Sequence, residues 1–148
     1  LHFKHQFERT VFVDDAHHIT IRNCTFEDLD MAIFSYGHHN TYRSNQFTRT
    51  YKTAVTMLDN NSIAELNTFQ DIAMQIGLGE TNWGYMGIRL AGPNNVIRGN
   101  HMSTIGYIGI SVDGSTFTSD CPSKSVVLTA RARSGRPLPT APSARGTS

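Results

Sequence analysis

The residues best suited to chemistry gather around one irregular stretch of the chain. Gln70–Met86 holds the only tryptophan, Trp83, together with the acids Asp71 and Glu80. It ends in Gly84-Tyr85-Met86-Gly87-Ile88, a phrase that returns as Gly106-Tyr107-Ile108-Gly109-Ile110, and Tyr51 and Lys52 occupy the matching place earlier. Close by run two further series of side chains. One is Phe12, Phe34, Thr56, Arg89 and Ser111; the other is Asp14, Tyr36, Leu58, Ala91 and Asp113. Aromatic side chains beside carboxylates and an arginine suit sugar rings, which have an apolar face and a rim of hydroxyls. The long stretch reads equally as a loop that shields an exposed edge of core, and both readings stay open.

The elements that must position these residues follow from a repeat. Short apolar steps begin at Val11, Ile33, Val55, Ile88 and Ile110, at intervals of 22, 22, 33 and 22 residues. A second series keeps phase with the first: Cys24-Thr25-Phe26, Asn45-Gln46-Phe47, Asn67-Thr68-Phe69 and Asn100-His101-Met102. A fixed period of this size marks a solenoid in which each repeat is one rung. Within a rung, Ile88-Arg89-Leu90 alternates as a half-buried strand does. Gly92-Pro93-Asn94-Asn95 is turn chemistry. Val96-Ile97-Arg98 is a second short strand, and His101-Met102 opens a third. Nothing between rungs is long enough for a crossover helix. A sandwich has no reason to keep the period, and a leucine-rich repeat needs a leucine skeleton that is missing. The expected fold is all-β, a right-handed parallel β-helix of about five coils with 22-residue rungs. The third rung is longer by eleven residues, and the extra length is the stretch before Ile88.

The repeat assigns many residues to structure. Asn45, Asn67 and Asn100, with Cys24 at one end, form an inward ladder at a sharp bend, where side-chain amides satisfy backbone groups the strands cannot reach. Phe26, Phe47, Phe69 and Met102 form a core column, as do Val11, Ile33, Val55, Ile88 and Ile110. Arg22, Arg43, Glu65 and Arg98 read as a solvated outer face with an ion pair between rungs. His17-His18 and His38-His39 fall where later rungs place Asn60-Asn61 and Asn94, a substitution that favours turn hydrogen bonding over metal coordination. No metal ligands are assigned.

The bulk composition narrows the function. The 148 residues are 39% hydrophobic and 17% charged, with a net charge of +1. A phosphate partner demands a basic stripe, so nucleic acid is excluded as the main ligand. No apolar run approaches membrane length, so insertion in a membrane is not expected. The two cysteines, Cys24 and Cys121, say little about redox compartment. Leu1 begins within a rung already in progress, which reads as a piece of a longer polypeptide. Repeats are expected over 1–118. Residues 119–148 become rich in Ser, Ala, Arg and Pro and are expected to be a disordered tail, with Val126-Val127-Leu128 as its one candidate strand.

The phrases Asn60-Asn61-Ser62-Ile63 leading to Asn67-Thr68-Phe69, Asn94-Asn95-Val96-Ile97-Arg98-Gly99-Asn100, and Gly106-Tyr107-Ile108-Gly109-Ile110 resemble the right-handed parallel β-helix repeat family, the broad pectate-lyase-like superfamily. The resemblance covers about residues 4–114. It implies a secreted or surface protein of bacteria and a polysaccharide or glycan partner, often an acidic one. It also implies lyase or hydrolase chemistry in the groove formed by the Val11-to-Ile110 sheet and the loops leading into it. On that analogy Arg89 and Lys52 are the catalytic candidates, one as base and one as the cation that stabilises an enolate. Trp83, Tyr85, Tyr107, Tyr36, Phe34, Asp59 and Asp113 are the substrate-binding candidates, and calcium is the one cofactor it suggests. The paired aspartates and Gly-His-Gly phrase of polygalacturonase-like hydrolases are absent. The alternative is a non-catalytic, adhesin-like β-helix that binds glycans or spaces other domains.

Overall fold

The computed structural model describes residues 1–75 and 85–113, and the backbone of 127–129. The first coil consists of β1 (His2–Lys4), β2 (Arg9–His17) and β3 (Thr20–Arg22); the second of β4 (Thr25–Leu29), β5 (Met31–His38) and β6 (Thr41–Arg43). The third is β7 (Gln46–Thr50), β8 (Val55–Met57) and β9 (Ile63–Glu65); the fourth β10 (Thr68–Ile72), β11 (Met86–Ala91) and β12 (Val96–Arg98). The fifth holds β13 (His101–Ile105), β14 (Ile108–Asp113) and β15 (Val127–Thr129). Like strands of successive coils pair in parallel, giving three five-stranded sheets: β1-β4-β7-β10-β13, β2-β5-β8-β11-β14 and β3-β6-β9-β12-β15. The expected stack of five coils is therefore the observed one. The long insertion lies between β10 and β11, and its residues 76–84 fall outside the described set, Trp83 and Glu80 among them. β15 sits in the segment assigned to the tail, one residue on from the expected strand, and pairs with β12 from Val96↔Val127 to Arg98↔Thr129. No helix among the described residues is long and apolar enough to cross a membrane.

Period and register agree residue by residue. Val11, Ile33, Val55, Ile88 and Ile110 stand opposite one another in the second sheet. In the first sheet, Phe26, Phe47, Phe69 and Met102 do the same. The rings of Phe3, Phe26, Phe47 and Phe69 stack in a continuous pile, with centroids 4.9, 5.0 and 4.7 Å apart and planes within 12° of parallel. Each stacked pair adds about 0.5–1.5 kcal/mol beyond burial of its area.

Single left-handed residues turn the chain at the corners. The bend from the second to the third sheet uses His18, His39, Asn61 and Asn94; the bend from the third to the first uses Asn23, Ser44, Leu66 and Gly99. Gly92 adds a φ of 114° beside the first of these bends, and a Cβ there would lie 2.0 Å from the Asp59 carbonyl oxygen.

The expected amide ladder is present. Asn45 Oδ1 accepts from the Cys24 N–H at 3.0 Å, Asn67 Oδ1 from the Asn45 N–H at 2.9 Å, and Asn100 Oδ1 from the Asn67 N–H at 2.9 Å. The side-chain nitrogens donate to carbonyls of the preceding coil, Asn45 to Ile21, Asn67 to Tyr42 and Asn100 to Ala64. Buried Cys24 ends the row. A second ladder stands at the bend from the second to the third sheet. Asn40 Oδ1 accepts from the Ile19 N–H, Ser62 Oγ from the Asn40 N–H, and Asn95 Oδ1 from the Ser62 N–H, at 2.8–2.9 Å. These residues keep the same intervals as the first ladder, always five positions earlier, so the signal was in the sequence although only one ladder was expected.

Candidate corner groove

At the bend from the first to the second sheet a column of charged residues and tyrosines runs along the stack. Coil by coil they are Glu8, Asp30, Lys52, Tyr85 and Tyr107. Strand pairing on either side stacks them, as does the hydrogen bond from the Lys52 N–H to the Asp30 carbonyl. Lys52 Nζ meets Asp30 Oδ2 at 2.7 Å. This hydrogen bond is the main reason the Lys52 ammonium is held above its ordinary range; it outweighs partial burial, and the charge of Asp30, with Tyr85 and Glu8, adds to it. A cavity of about 380 Å³ opens beside the pair, lined by His5, Gln6, Phe7, Asp28, Asp30, Tyr51, Lys52 and Gln75. A second of about 540 Å³ shares Tyr51 and Gln75 and adds Arg49, Thr50, Asp71 and Met74. Tyr51 and Tyr107 project from this corner, 55% and 57% exposed.

The cations here are already engaged. Arg49 donates to Asp28 Oδ1 at 2.6 Å and also contacts Glu27, and Lys4 reaches Glu27 at 3.3 Å. Asp28 is held below the ordinary carboxylate range, chiefly by its hydrogen bond from Arg49. Glu27 is lowered first by the hydrogen bond from Lys4, then by those from Arg49 and His2. The groove thus presents hydroxyls, aromatic faces and compensated charge.

The structure brings together only some of the residues singled out from the sequence. Lys52, Tyr85 and Tyr107 share the corner with Tyr51. Arg89 and Asp113 meet on the outer face of the second sheet, Nε to Oδ2 at 2.7 Å, with the Arg89 side chain 15% exposed. Arg89 stands opposite Thr56 in that sheet, whereas Lys52 lies on the bend before it, so the two catalytic candidates belong to different places. On the other half of the same face Tyr36 is exposed. Phe34 is largely covered, with the Arg9 guanidinium 4.1 Å from its ring and Phe12 tilted against it at 5.7 Å.

Asp59 requires a correction. It was expected to line a groove, yet its exposure is 0%. Its carboxylate accepts from Ser35 Oγ at 2.6 Å, Tyr42 OH at 2.9 Å and Asn40 Nδ2 at 3.3 Å, and the hydroxyls of Ser35 and Tyr42 lie against each other. Asp59 faces inward in step with Val55 and Met57, and there ties together residues of the second sheet, the third sheet and the bend between them. Burial first, then the Asp59 charge, pushes the Tyr42 phenol far above its ordinary range. The ion pair expected on the third sheet is present, with Glu65 between Arg98 at 2.7 Å and Arg43 at 3.5 Å.

Calcium requires six to eight oxygen ligands. Among the described residues no three His, Cys, Asp or Glu side chains gather to hold a metal, so the residues described do not fit that ion.

The family model for the right-handed β-helix region matches residues 9–125. No curated protein and no solved structure matches the chain at significant similarity.

Proposed function

Because this chain belongs to the right-handed β-helix family, whose stacked coils line up side chains in columns, we propose that its first-to-second-sheet corner binds a polysaccharide along the stack. The observation that carries this is Tyr51, exposed and shared by two adjoining cavities, next to Lys52, which pairs with Asp30 and stands in line with Tyr85 and Tyr107. Tyrosine rings offer sugar faces an apolar platform and a hydroxyl for the rim. The charge balance favours neutral, hydroxyl-rich sugars. A uronate would have to take Lys52 from Asp30, and the nearby Arg49 is already held by Asp28 and Glu27. This reading places the work of the chain outside the cell or on its surface.

Binding is favoured over cleavage. A lyase needs a base that is free of its proton at working pH. Lys52 is held protonated, and Arg89 is paired with Asp113.

The test is affinity electrophoresis through gels containing neutral or uronate polysaccharides, followed by calorimetry. Retardation by a neutral polysaccharide is expected, weakened about tenfold or more by Tyr51→Ala, the loss of one stacking contact of about 1.4 kcal/mol. Arg89→Ala should leave it unchanged. Salt-sensitive binding to uronates alone, abolished by Lys52→Ala, would overturn the neutral-sugar reading. No retardation of folded protein by any polysaccharide would overturn the whole. Release of ultraviolet-absorbing unsaturated ends from a uronate polymer would replace binding with lyase action.

A further inference from the structure

The bend from the second to the third sheet carries two consecutive histidines in each of the first two coils, His17-His18 and His38-His39. In an extended strand, neighbouring side chains point to opposite faces. Here His18 and His39 adopt φ of 57° and 55°, and the turn brings each ring beside that of the residue before it. The two Nδ1 atoms lie 2.8 Å apart in the first pair and 2.9 Å apart in the second. The pairs are repeated along the stack. His17 lies on His38 with centroids 5.0 Å apart and planes 15° from parallel; His18 lies on His39 at 5.2 Å and 5°.

Neither the turn nor the core demands imidazoles here. Asn61 and Asn94 hold the same left-handed position in the next two coils, at 53° and 58°. Asn60 follows His38 in the ladder. His17, His18 and His39 are exposed and His38 is half-buried. The expected hydrogen bonding to the turn is replaced by contact of each ring with its neighbour.

We propose that each pair is a bidentate site for a late first-row divalent transition metal, of the nickel or copper class, held by its two Nδ1 atoms. Imidazole is a good ligand for these ions. With metal–nitrogen bonds of about 2.0–2.1 Å, nitrogens 2.8–2.9 Å apart subtend about 90° at the ion. That is the angle between adjacent ligands in square-planar or octahedral coordination, and it is too small for the tetrahedral preference of zinc. The proton balance is simple. Without metal, a neutral pair shares one Nδ1 proton, so one ring is protonated on Nδ1 and the other on Nε2. As the ion binds, that Nδ1 proton leaves to solvent and Nε2 of the same ring takes one up. Both Nδ1 lone pairs then face the metal with no net proton release. Water completes the shell, since among the described residues no group of three such side chains is placed to hold one ion. Ions in the two pairs would stand about 5 Å apart, the spacing of the stacked rings, and their repulsion makes the second site fill later.

The experiment is calorimetry of the full 148-residue chain, free of any affinity tag, with Ni(II) and with Cu(II), and electron paramagnetic resonance of the Cu(II) form. The expected result is two ions bound, the second about tenfold or more weaker, as close dications repel, with splitting from two equatorial nitrogens. H18N/H39N keeps the turn, because asparagine fills that position in later coils, and should weaken binding about tenfold or more, the step from two nitrogens to one. H17N/H38N leaves both left-handed positions untouched and should show the same loss. H2N/H5N should bind as the wild type does. Wild-type affinity in both paired-histidine variants, with circular dichroism unchanged, would overturn the proposal, and so would loss of binding in H2N/H5N.

Discussion

Two bends of the same coil make opposite use of the same backbone repeat. At the bend from the third to the first sheet, the residue type hardly changes: Cys24, Asn45, Asn67 and Asn100 all face inward, and each asparagine amide is bonded to the coils beside it. At the bend from the first to the second sheet, the type changes along the stack, from the acids Glu8 and Asp30 to Lys52 and then to Tyr85 and Tyr107, and none of these residues is fully buried. The inner column is constrained because unpaired backbone groups in a buried bend cost about 1–3 kcal/mol each. The outer column carries no such constraint, so its residues are free to suit a ligand. In a solenoid, a column that repeats marks structure and a column that varies marks a surface available for function.

The sharpest way to break this contrast is at the ladder. Asn67→Ala removes the acceptor of the Asn45 N–H and the donor to the Tyr42 carbonyl, leaving both orphaned. The expected loss is about 3–5 kcal/mol, close to the whole margin of a small domain. Urea unfolding measures it, and a loss below about 1 kcal/mol would mean that backbone pairing alone holds the bend.

A second perturbation is alkaline. The Tyr42 phenol has its proton held more tightly in the folded chain than in the unfolded one. Its contribution to stability is therefore complete below the ordinary phenol range near pH 10 and is lost as pH rises above it. Absorbance of phenolate, followed together with circular dichroism, should show one tyrosine that ionises only as the chain unfolds. Removing Asp59 as Asp59→Asn should weaken that coupling.

Smaller effects test the boundary between the two columns. Thr50 occupies a core position in register with Leu29, and its buried hydroxyl has no hydrogen-bond partner among the described residues. Thr50→Val keeps the shape and removes that cost, so a gain of about 1 kcal/mol is expected in thermal or urea unfolding. At the outer corner, Tyr51→Ala should change stability by no more than about 0.5 kcal/mol, as surface substitutions do, while weakening polysaccharide binding. Equal damage to both properties would make Tyr51 a structural residue and erase the contrast.

Much of the molecule was legible in the spacing of a few residue types. The 22-residue interval identifies which residues are neighbours one coil apart, so Phe26, Phe47 and Phe69 had to stack and Asn45, Asn67 and Asn100 had to form a row. The same interval contains the second ladder, Asn40, Ser62 and Asn95, but its mixed residue types hid it. Asp59 was legible too: two residues beyond Met57 and four beyond Val55, it falls on the inward side of the alternation.

The sequence by itself determined the stack: its period, its core columns and the place of the insertion. Parallel pairing repeats at a fixed spacing, so side chains one period apart must meet. Only the tertiary structure decided how the charges and rings at the corners combine. It gave Lys52 to Asp30, Arg89 to Asp113, a buried carboxylate to three donors, and each histidine to its neighbour. The physical reason is that a period fixes position along one axis. The direction of a side chain at a corner depends on local backbone angles and on which partner of the adjoining coil lies within reach.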